Sequence, residues 1–436
     1  MSSTNRAVRV SATNSVGTQV SQISAERQLK RITLAAMLWE KQFYLDGKSH
    51  AELVRELVAK LDPEKVQALA LTARTKFNLR HVPLLLTREL ARSNRLEASA
   101  LTSVIQRADE MAEFLSIYWQ DGKTAVSNQV KKGLAACFNK FNEYQLAKWN
   151  KNSAAVKLRD VMFLTHPKPQ SEAQAELFKR IASNTLETPD TWETQLSAGA
   201  DKCATFTRLM SEKKLGALAF LRNLRNMRDS GVDVALIRSY ATSLDVSKIL
   251  PFRYIAAARI VPEFEDMLES MMFRSLKTHD KLPGKTVLVI DVSGSMFGCP
   301  ISQKSDLDRF DAAAALAMLC REVCEQVEIY SFSGDAVRVA PRRGFALREA
   351  ISSSQPHGGT LLGNAMRTIN ANGSYDRCIV FTDEQSYDSP AAPHSKGYVV
   401  NIASYENGVN HRAWTEVNGF SEAVVDYIQA LEREAA

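Results

Sequence analysis

The chain has 436 residues, of which 45% are hydrophobic and 24% are charged. This composition is typical of a globular protein of two or three domains, and it excludes a mostly disordered, collagen-like or disulfide-stapled chain. Six scattered cysteines without a CxxC pair are typical of a reducing cytoplasm, and no stretch approaches the roughly 18 consecutive apolar residues of a membrane-spanning helix. We therefore expect a cytoplasmic protein without a membrane partner.

The net charge of +6 is divided unevenly along the chain. Residues 1–280 contain 41 basic and 30 acidic residues, a net charge of +11, whereas residues 281–436 contain 14 and 19, a net charge of −5. A basic first part joined to an acidic second part indicates that the two parts have different partners.

Helical periodicity dominates the chain up to residue 280. Residues 1–22 are rich in Ser, Thr and Asn, lack the apolar core of a secretory signal, and are predicted to be a mobile tail. After them, apolar residues recur at helical spacing in the segments 28–44, 51–61, 66–77, 82–93 and 101–119. Short helices in recurring pairs, with no alternating strand between them, predict a helical repeat domain over residues 23–280.

Basic residues are concentrated between Lys123 and Lys168. Nine lysines and arginines stand there against two acidic residues, and aromatic side chains are interleaved with them. Because phosphates bind positive charge and bases stack on rings, this composition favours a nucleic acid as the partner. The alternative is a solvated helix face whose aromatic side chains lie in the core.

The phase of one helix in this segment separates its lysines from its rings. Five apolar residues fall within about 100° of arc and are predicted to face the core: Val130, Leu134, Cys137, Phe138 and Phe141. Lys132 points away from this face, and Lys131 and Lys140 lie on its borders. Since two of the rings are then buried, phosphate contact is the better interpretation, and Tyr144 and Trp149 remain open.

The sequence pattern changes near Leu282-Pro283-Gly284. The segment TVLVIDVSGS that follows is a short β-branched run, which predicts a buried parallel strand. Predicted elements then alternate: helix 310–323, strand 328–332, an extended segment 337–339, helices 345–352 and 361–370, strands 378–381 and 398–402, and a helix from about 421 to 434. This alternation predicts an α/β domain over residues 284–436, whose parallel sheet binds ligands beyond the carboxyl ends of its strands.

Hydroxyl and carboxyl side chains are placed at those predicted strand ends. The first strand ends in Asp291-Val292-Ser293-Gly294-Ser295, and a later strand ends just before Asp383. Thr360 lies between them along the chain, in a loop ahead of a helix. These groups are hard oxygen ligands without a soft donor, which is the set that Mg²⁺ or Mn²⁺ prefers.

This pattern resembles the metal-ion-dependent adhesion site of von Willebrand factor A domains, in which a DxSxS motif, a distant Thr and a distant Asp share one cation. All five positions are matched: Asp291, Ser293, Ser295, Thr360 and Asp383. The resemblance implies a Rossmann-like domain in which the hydroxyl groups bind the cation directly and the aspartates bind it partly through water. It also implies that an acidic group of a partner fills an open position. The alternative is an A-type domain that keeps the motif without binding metal.

Three further stretches resemble the Ro ribonucleoprotein family, whose helical part is called the TROVE module. They are Lys214–Met227, which contains LRNLRNM, Phe163–Pro169, and Ile249–Tyr254. The resemblance covers nearly the whole chain after the tail. It implies a closed ring of HEAT-like helical repeats bridged by the A domain. It also implies binding of small non-coding (Y-like) RNA and of single-stranded ends of misfolded RNA, in RNA quality control with a nuclease or other protein partner.

The resemblance implies an RNA-binding role for the basic cluster and for the turn after it. The residues concerned are Lys131, Lys132, Lys140, Lys148, Lys151, Lys157, Arg159, His166 and Lys168. For His166, a capping or core position is an equal alternative. Arg222 and Arg225 lie on a helix with buried leucines, and we expect at least one of them to bind carbonyl groups and not RNA.

No enzymatic activity is expected, because no His or Lys in the second part is placed as an obvious base. We expect a monomeric RNA-binding protein with a Mg²⁺ or Mn²⁺ site that binds a protein partner. Two alternatives stay open. One is a metal-dependent protein–protein adaptor without an RNA role, and the other is a hydrolase that uses the cation between Asp291 and Asp383.

Overall fold

The computed structural model describes residues 24–35, 47–76, 79–150, 154–249, 251–277, 281–300, 307–383, 386–402, 413–418 and 423–435. The predicted tail, residues 1–22, and Lys151 of the basic cluster lie outside these ranges. The described residues form two compact units, one comprising residues 25–34 and 48–240 and the other mainly residues 241–435. None of the described helices is both long enough and apolar enough to cross a membrane.

The first unit is helical, and its described residues contain no strand. Its helices are α1 (Ala25–Ala35), α2 (Gly47–Lys60), α3 (Pro63–Thr75), α4 (His81–Arg92), α5 (Ala98–Val104), α6 (Asp109–Tyr118), α7 (Asn128–Cys137), α8 (Glu143–Trp149), α9 (Leu158–Thr165), α10 (Glu172–Ser183), α11 (Trp192–Ser197), α12 (Lys202–Ser211), α13 (Ala217–Asp229) and α14 (Val234–Ser243). The helical class predicted from periodicity is therefore confirmed for these residues.

One predicted helix, 101–119, is divided into α5 and α6 by a turn that a buried carboxylate stabilises. Glu110 is fully buried, and its Oε2 accepts the amide hydrogens of Gln106, at 2.8 Å, and Arg107, at 3.1 Å. Its Oε1 accepts a hydrogen bond from Arg74 Nη2 at 2.6 Å. The Glu110 side chain thus accepts the amide hydrogens of two residues in the turn that precedes α6.

Helices α5 and α7 pack closely at a glycine. A Cβ atom added to Gly133 would lie 2.8 Å from the carbonyl oxygen of Ala98 and 3.1 Å from Cβ of Leu101. The core face predicted for α7 and the residues after it is confirmed, since the five apolar residues from Val130 to Phe141 are all buried.

The second unit contains helices before its sheet and around it. Its further elements are α15 (Pro251–Ile260), α16 (Glu265–Leu276), β1 (Leu282–Asp291), α17 (Arg309–Val323), β2 (Cys324–Phe332), β3 (Ala336–Arg338), α18 (Gly344–Ser352), α19 (Leu362–Ala371), β4 (Arg377–Thr382), β5 (Lys396–Asn401), β6 (Thr415–Asn418) and α20 (Ala423–Ala435), with short 3₁₀ turns at Pro262–Phe264 and Gly294–Met296. The strand order is β3-β2-β1-β4-β5-β6, and every pair is parallel except β2 with β3. The α/β class predicted for this part is confirmed, although β6 was not predicted.

Helices α15 and α16 belong to the same compact unit as the sheet. Asp311 of α17 is fully buried and accepts hydrogen bonds from Arg259 of α15, at 2.5 Å, and from Arg348 of α18, at 3.0 and 3.1 Å. Glu269 of α16 accepts the amide hydrogen of Phe345 at 2.9 Å. The predicted boundary at residues 280–284 therefore marks the first strand, whereas the compact unit already begins at Ala241.

We predict that Gly133→Ala destabilises the helical unit. Alanine is the better helix former, but its Cβ would overlap the backbone of α5, so we expect the free energy of unfolding to fall by about 1–3 kcal/mol. Denaturant unfolding followed by circular dichroism measures it. Ala136→Gly, at an exposed position of the same helix, should cost about 0.5–1 kcal/mol through helix propensity alone. A Gly133→Ala protein more stable than the original would contradict the close packing.

Candidate metal centre and basic surface

The parallel register brings the ends of β1 and β4 together at one edge of the sheet. Asp291 is the last residue of β1 and pairs in register with Phe332 of β2, and Ile290 pairs with Phe381 of β4. Thr382, the last residue of β4, donates a hydrogen bond from Oγ1 to Oδ2 of Asp291 at 2.6 Å. Asp383 follows directly and, like Asp291, is fully buried.

The DxSxS segment folds back over the end of β1. The backbone amide of Ser293 donates to Oδ1 of Asp291 at 2.8 Å, and the 3₁₀ turn Gly294–Met296 follows. Oγ of Ser293 and Oγ of Ser295 lie 3.3 Å apart. The turn therefore brings both serine hydroxyl groups to the side of the Asp291 carboxylate.

The loop that carries Thr360 lies against the same turn. The carbonyl oxygen of Gly358 accepts the amide hydrogen of Gly294 at 3.2 Å, and Nδ1 of His357 lies 2.9 Å from the carbonyl oxygen of Val292. Thr360 itself is buried. The structure thus gathers the segments that carry the five predicted ligand positions at the carboxyl edge of β1 and β4.

Arg309 is a residue of this edge that sequence reasoning missed. Its Nη1 donates to Oδ2 of Asp383 at 3.1 Å and to the carbonyl oxygen of Ser295 at 3.3 Å. Arg309 is the first residue of α17 and belongs to no spacing that the metal motif defines, so only the tertiary structure shows its role.

The electrostatics of the edge favour a cation. Burial raises the pKa of Asp291 to about 6, the negative charge of Asp383 adds to this rise, and the hydrogen bonds from Ser293 and Thr382 oppose it. Two buried carboxylates with neighbouring hydroxyl groups form an all-oxygen donor set, which fits Mg²⁺ or Mn²⁺. The described residues contain no group of three or more His, Cys, Asp or Glu placed for a metal. That part of the chain therefore contains no metal site built from several His or Cys ligands.

The predicted basic cluster includes lysines without a carboxylate partner. Within the described residues, Lys131, Lys132, Lys148 and Lys168 take part in none of the ion pairs, and all but the half-buried Lys131 are exposed. Lys131 and Lys132 lie on α7, which packs against α9, where Arg159 is exposed. Lys148 lies over the rings of Tyr144 and Trp149, at 5.6 and 5.7 Å from their centroids.

The two acidic residues of this segment do not pair with the exposed lysines that the structure describes there. Glu143 pairs with Arg180 at 2.8 Å. Asp160 accepts the amide hydrogen of Lys157 at 2.8 Å and lies 4.0 Å from Nε of Arg159. The positive charge of the exposed lysines is therefore not offset by these two carboxylates.

Three predicted RNA-binding residues also serve the local fold. Nζ of Lys140 donates to the carbonyl oxygens of Thr102, at 2.7 Å, and Ile105 at the end of α5, and burial lowers the pKa of Lys140. Lys157 is the N-cap residue of α9. His166 closes α9 in the left-handed region, with φ of 48°, and its side chain is exposed. The capping alternative thus describes the backbone of His166, while the core alternative is wrong.

The helical unit also exposes aromatic rings and arginines. Phe163, the first residue of the Phe163–Pro169 stretch, is 55% exposed, and Tyr144 is also exposed. The Trp149 ring is covered by the Arg107 guanidinium, 3.7 Å from its centroid. Arg222 and Arg225 of α13 are both exposed and have no hydrogen bond or ion pair with the described residues. The expectation that one of them binds carbonyl groups is therefore wrong for that part of the chain.

Comparisons with known proteins agree with this architecture. Residues 183–287 match the family model of the TROVE domain, a range that includes the LRNLRNM stretch and Ile249–Tyr254 but not Phe163–Pro169. The crystal structure of the Deinococcus radiodurans RO (RSR) protein is similar, with a TM-score of 0.68 and 20% sequence identity, over 95% of this chain and 100% of that chain. A search of curated proteins found no match. At this identity, the structural likeness shows the fold.

We predict that Asp291→Asn stabilises the protein at neutral pH when a chelator is present. The pKa of Asp291 is raised from 3.8 to about 6, so the folded state favours the protonated form. The contribution of Asp291 to stability is therefore fully present below about pH 4 and lost as the pH rises through about 6. Asn keeps the neutral state at every pH, and the gain at pH 7.5 should be at most about 3 kcal/mol.

Thermal unfolding between pH 4 and pH 8 in chelator measures this difference. The gain should shrink below pH 6 and vanish near pH 4, where aspartate and asparagine are both neutral. Glu349→Gln, at an exposed carboxylate of the same unit, is the control and should give no such pH dependence. A gain that is equal at pH 4 and pH 8 would contradict the assignment to Asp291.

Proposed function

We propose that this chain, a TROVE-domain protein of the Ro family, binds RNA through the exposed basic residues of its helical unit. The observation that carries the proposal is the set of exposed lysines on and after α7 that have no carboxylate partner within the described residues. Such side chains can neutralise phosphates without first breaking an ion pair, and phosphate neutralisation is the main source of affinity for RNA. Residues 183–287, which match the TROVE domain, support the same assignment.

The family resemblance supports a finer proposal. We propose that the partners are small non-coding RNAs and the single-stranded ends of misfolded RNAs, and that the protein acts in RNA quality control in the cytoplasm without being an enzyme. A closed ring of HEAT-like repeats in a monomeric protein is part of the same proposal. Since lysine–phosphate contacts depend little on base identity, binding should tolerate many sequences.

We predict that Lys131→Glu/Lys132→Glu weakens RNA binding about tenfold or more, because two attractive lysine–phosphate pairs become repulsive. For five such pairs with single-stranded RNA, affinity should fall roughly a hundredfold over a fourfold rise in salt. The variant should show a shallower log–log slope, by about 0.7 for each phosphate that is no longer neutralised. Filter binding over a salt series, with several unrelated RNA sequences, measures both quantities.

The matched control reverses two lysines that already have carboxylate partners. Lys65 pairs with Glu26 at 2.8 Å and Lys179 with Glu176 at 3.0 Å. Lys65→Glu/Lys179→Glu changes the net charge equally but should keep the slope and most of the affinity. Equal losses in both double variants would show that only net charge matters, and unchanged affinity in Lys131→Glu/Lys132→Glu would remove the basic surface from the proposal.

We further propose that the edge formed by Asp291, Ser293, Ser295, Thr360 and Asp383 binds Mg²⁺ or Mn²⁺. When bound, the cation would supply an open position for an acidic group of a nuclease or other protein partner. Tyr387, 83% exposed, has its ring 3.6 Å from the position of a Cβ on Gly359, next to Thr360. Exposed tyrosine rings are enriched at protein-binding surfaces, which supports this role.

We predict that Asp291→Ala abolishes Mg²⁺ binding, because it removes one of the two buried carboxylates. Isothermal titration with MgCl₂ measures the binding, and circular dichroism checks that the helical content is kept. Glu349→Ala should bind Mg²⁺ like the original chain. Normal binding by Asp291→Ala would reject the metal centre.

The adaptor and hydrolase alternatives give different outcomes in the same preparations. An adaptor without an RNA role predicts purified protein free of nucleic-acid absorbance and no salt-dependent RNA binding. A hydrolase predicts turnover of RNA that Asp291→Ala abolishes. Sequencing of the RNA that copurifies with the protein would identify the RNA class.

A further inference from the structure

The start of α17 places Arg309 at the candidate metal centre. Asp308 is the N-cap residue of this helix, and its Oδ1 accepts the amide hydrogen of Asp311 at 2.9 Å. The reciprocal bond, from the amide of Asp308 to Oδ2 of Asp311, measures 3.0 Å. These two reciprocal hydrogen bonds stabilise the first turn of α17. The Arg309 side chain extends from this turn and is only 16% exposed.

The Arg309 guanidinium binds a group that the metal centre needs. Nη1 lies 3.1 Å from Oδ2 of Asp383, a fully buried carboxylate in the predicted ligand set. The same nitrogen donates to the carbonyl oxygen of Ser295, at 3.3 Å. Asp383 therefore already carries a positive partner within the chain, and the two buried aspartates with Arg309 sum to one negative charge instead of two.

We propose that Arg309 is a resident counter-ion that competes with the divalent cation for Asp383 and so sets the affinity of the centre. This inference rests on the metal centre proposed above. The guanidinium would repel a cation bound beside Asp383, and both would share the Asp383 carboxylate. Each would therefore weaken the binding of the other to that carboxylate. Without the cation, Arg309 is a positive partner of the buried Asp383 carboxylate.

The alternative role for Arg309, positioning Asp383 as a ligand, predicts that its removal changes the Kd of the cation in the opposite direction. If Arg309 only positioned Asp383 as a ligand, its removal would loosen the carboxylate and weaken cation binding. If Arg309 competes, its removal leaves a stronger negative charge and tightens cation binding. The direction of the change in Kd therefore decides between the two roles.

The experiment is isothermal titration of the full chain and of Arg309→Gln with MgCl₂ and MnCl₂. We expect Arg309→Gln to bind at least about tenfold more tightly, because a positive charge a few ångströms from the cation is removed. Arg309→Lys keeps the charge but not the guanidinium fork, and its affinity should fall between the two. Arg338→Gln, at an exposed arginine of β3, removes the same charge away from the centre and should change Kd less than about twofold.

A second measurement separates competition from a general loss of structure. In chelator, Arg309→Gln should unfold at a lower temperature than the original chain, and Mg²⁺ should raise its unfolding temperature by more than it raises that of the original chain, because tighter binding stabilises the folded state further. Weaker or unchanged cation binding by Arg309→Gln, with normal binding by the original chain, overturns the competition and leaves the metal centre intact. No binding by either protein overturns the metal centre itself and the competition with it.

Discussion

The acidic edge of the sheet depends on the burial of two like charges side by side. Parallel pairing of β1 with β4 brings them to the same edge, because Asp291 ends β1 and Asp383 directly follows the end of β4. Hydrogen bonds from Ser293 and Thr382 offset part of the cost at Asp291, and an arginine offsets part at Asp383. Together with Arg309, the two aspartates leave one net negative charge among oxygen ligands, and this charge favours a cation.

In the described part of the helical unit, a buried carboxylate is paired and several exposed lysines are not. One of its buried carboxylates, Glu110, accepts hydrogen bonds from Arg74 and from two backbone amides, so it stabilises the fold. Its exposed Lys132, Lys148 and Lys168, in contrast, have no carboxylate partner among the described residues. The described residues thus include exposed lysines without a carboxylate partner in the first unit and two buried aspartates with one arginine in the second, in line with the charge asymmetry between the two parts of the chain.

Local patterns predicted the features that depend on local sequence. The β-branched run of β1 and the spacing from Asp291 to Ser295 were sufficient to predict a strand and the turn after it, and the phase of α7 predicted which lysines face solvent. Features that depend on distant residues could not be predicted this way. The break between α5 and α6 depends on Glu110 and Lys140, and β6 is a short edge strand defined by its pairing with β5. Arg309 reaches its aspartate across 74 residues of sequence.

The bonds of Asp311 and Glu269 have a practical consequence for dissecting the protein into fragments. A fragment that starts at the first strand would lack Arg259, one of the two arginines bound to the buried Asp311, and would leave the amide of Phe345 without its acceptor on Glu269. It would also uncover the core faces of α17 and α18, which pack against α16. A self-sufficient sheet fragment must therefore begin before α15, near Ala241, although residues 241–276 look like the end of the helical half when the sequence is read alone.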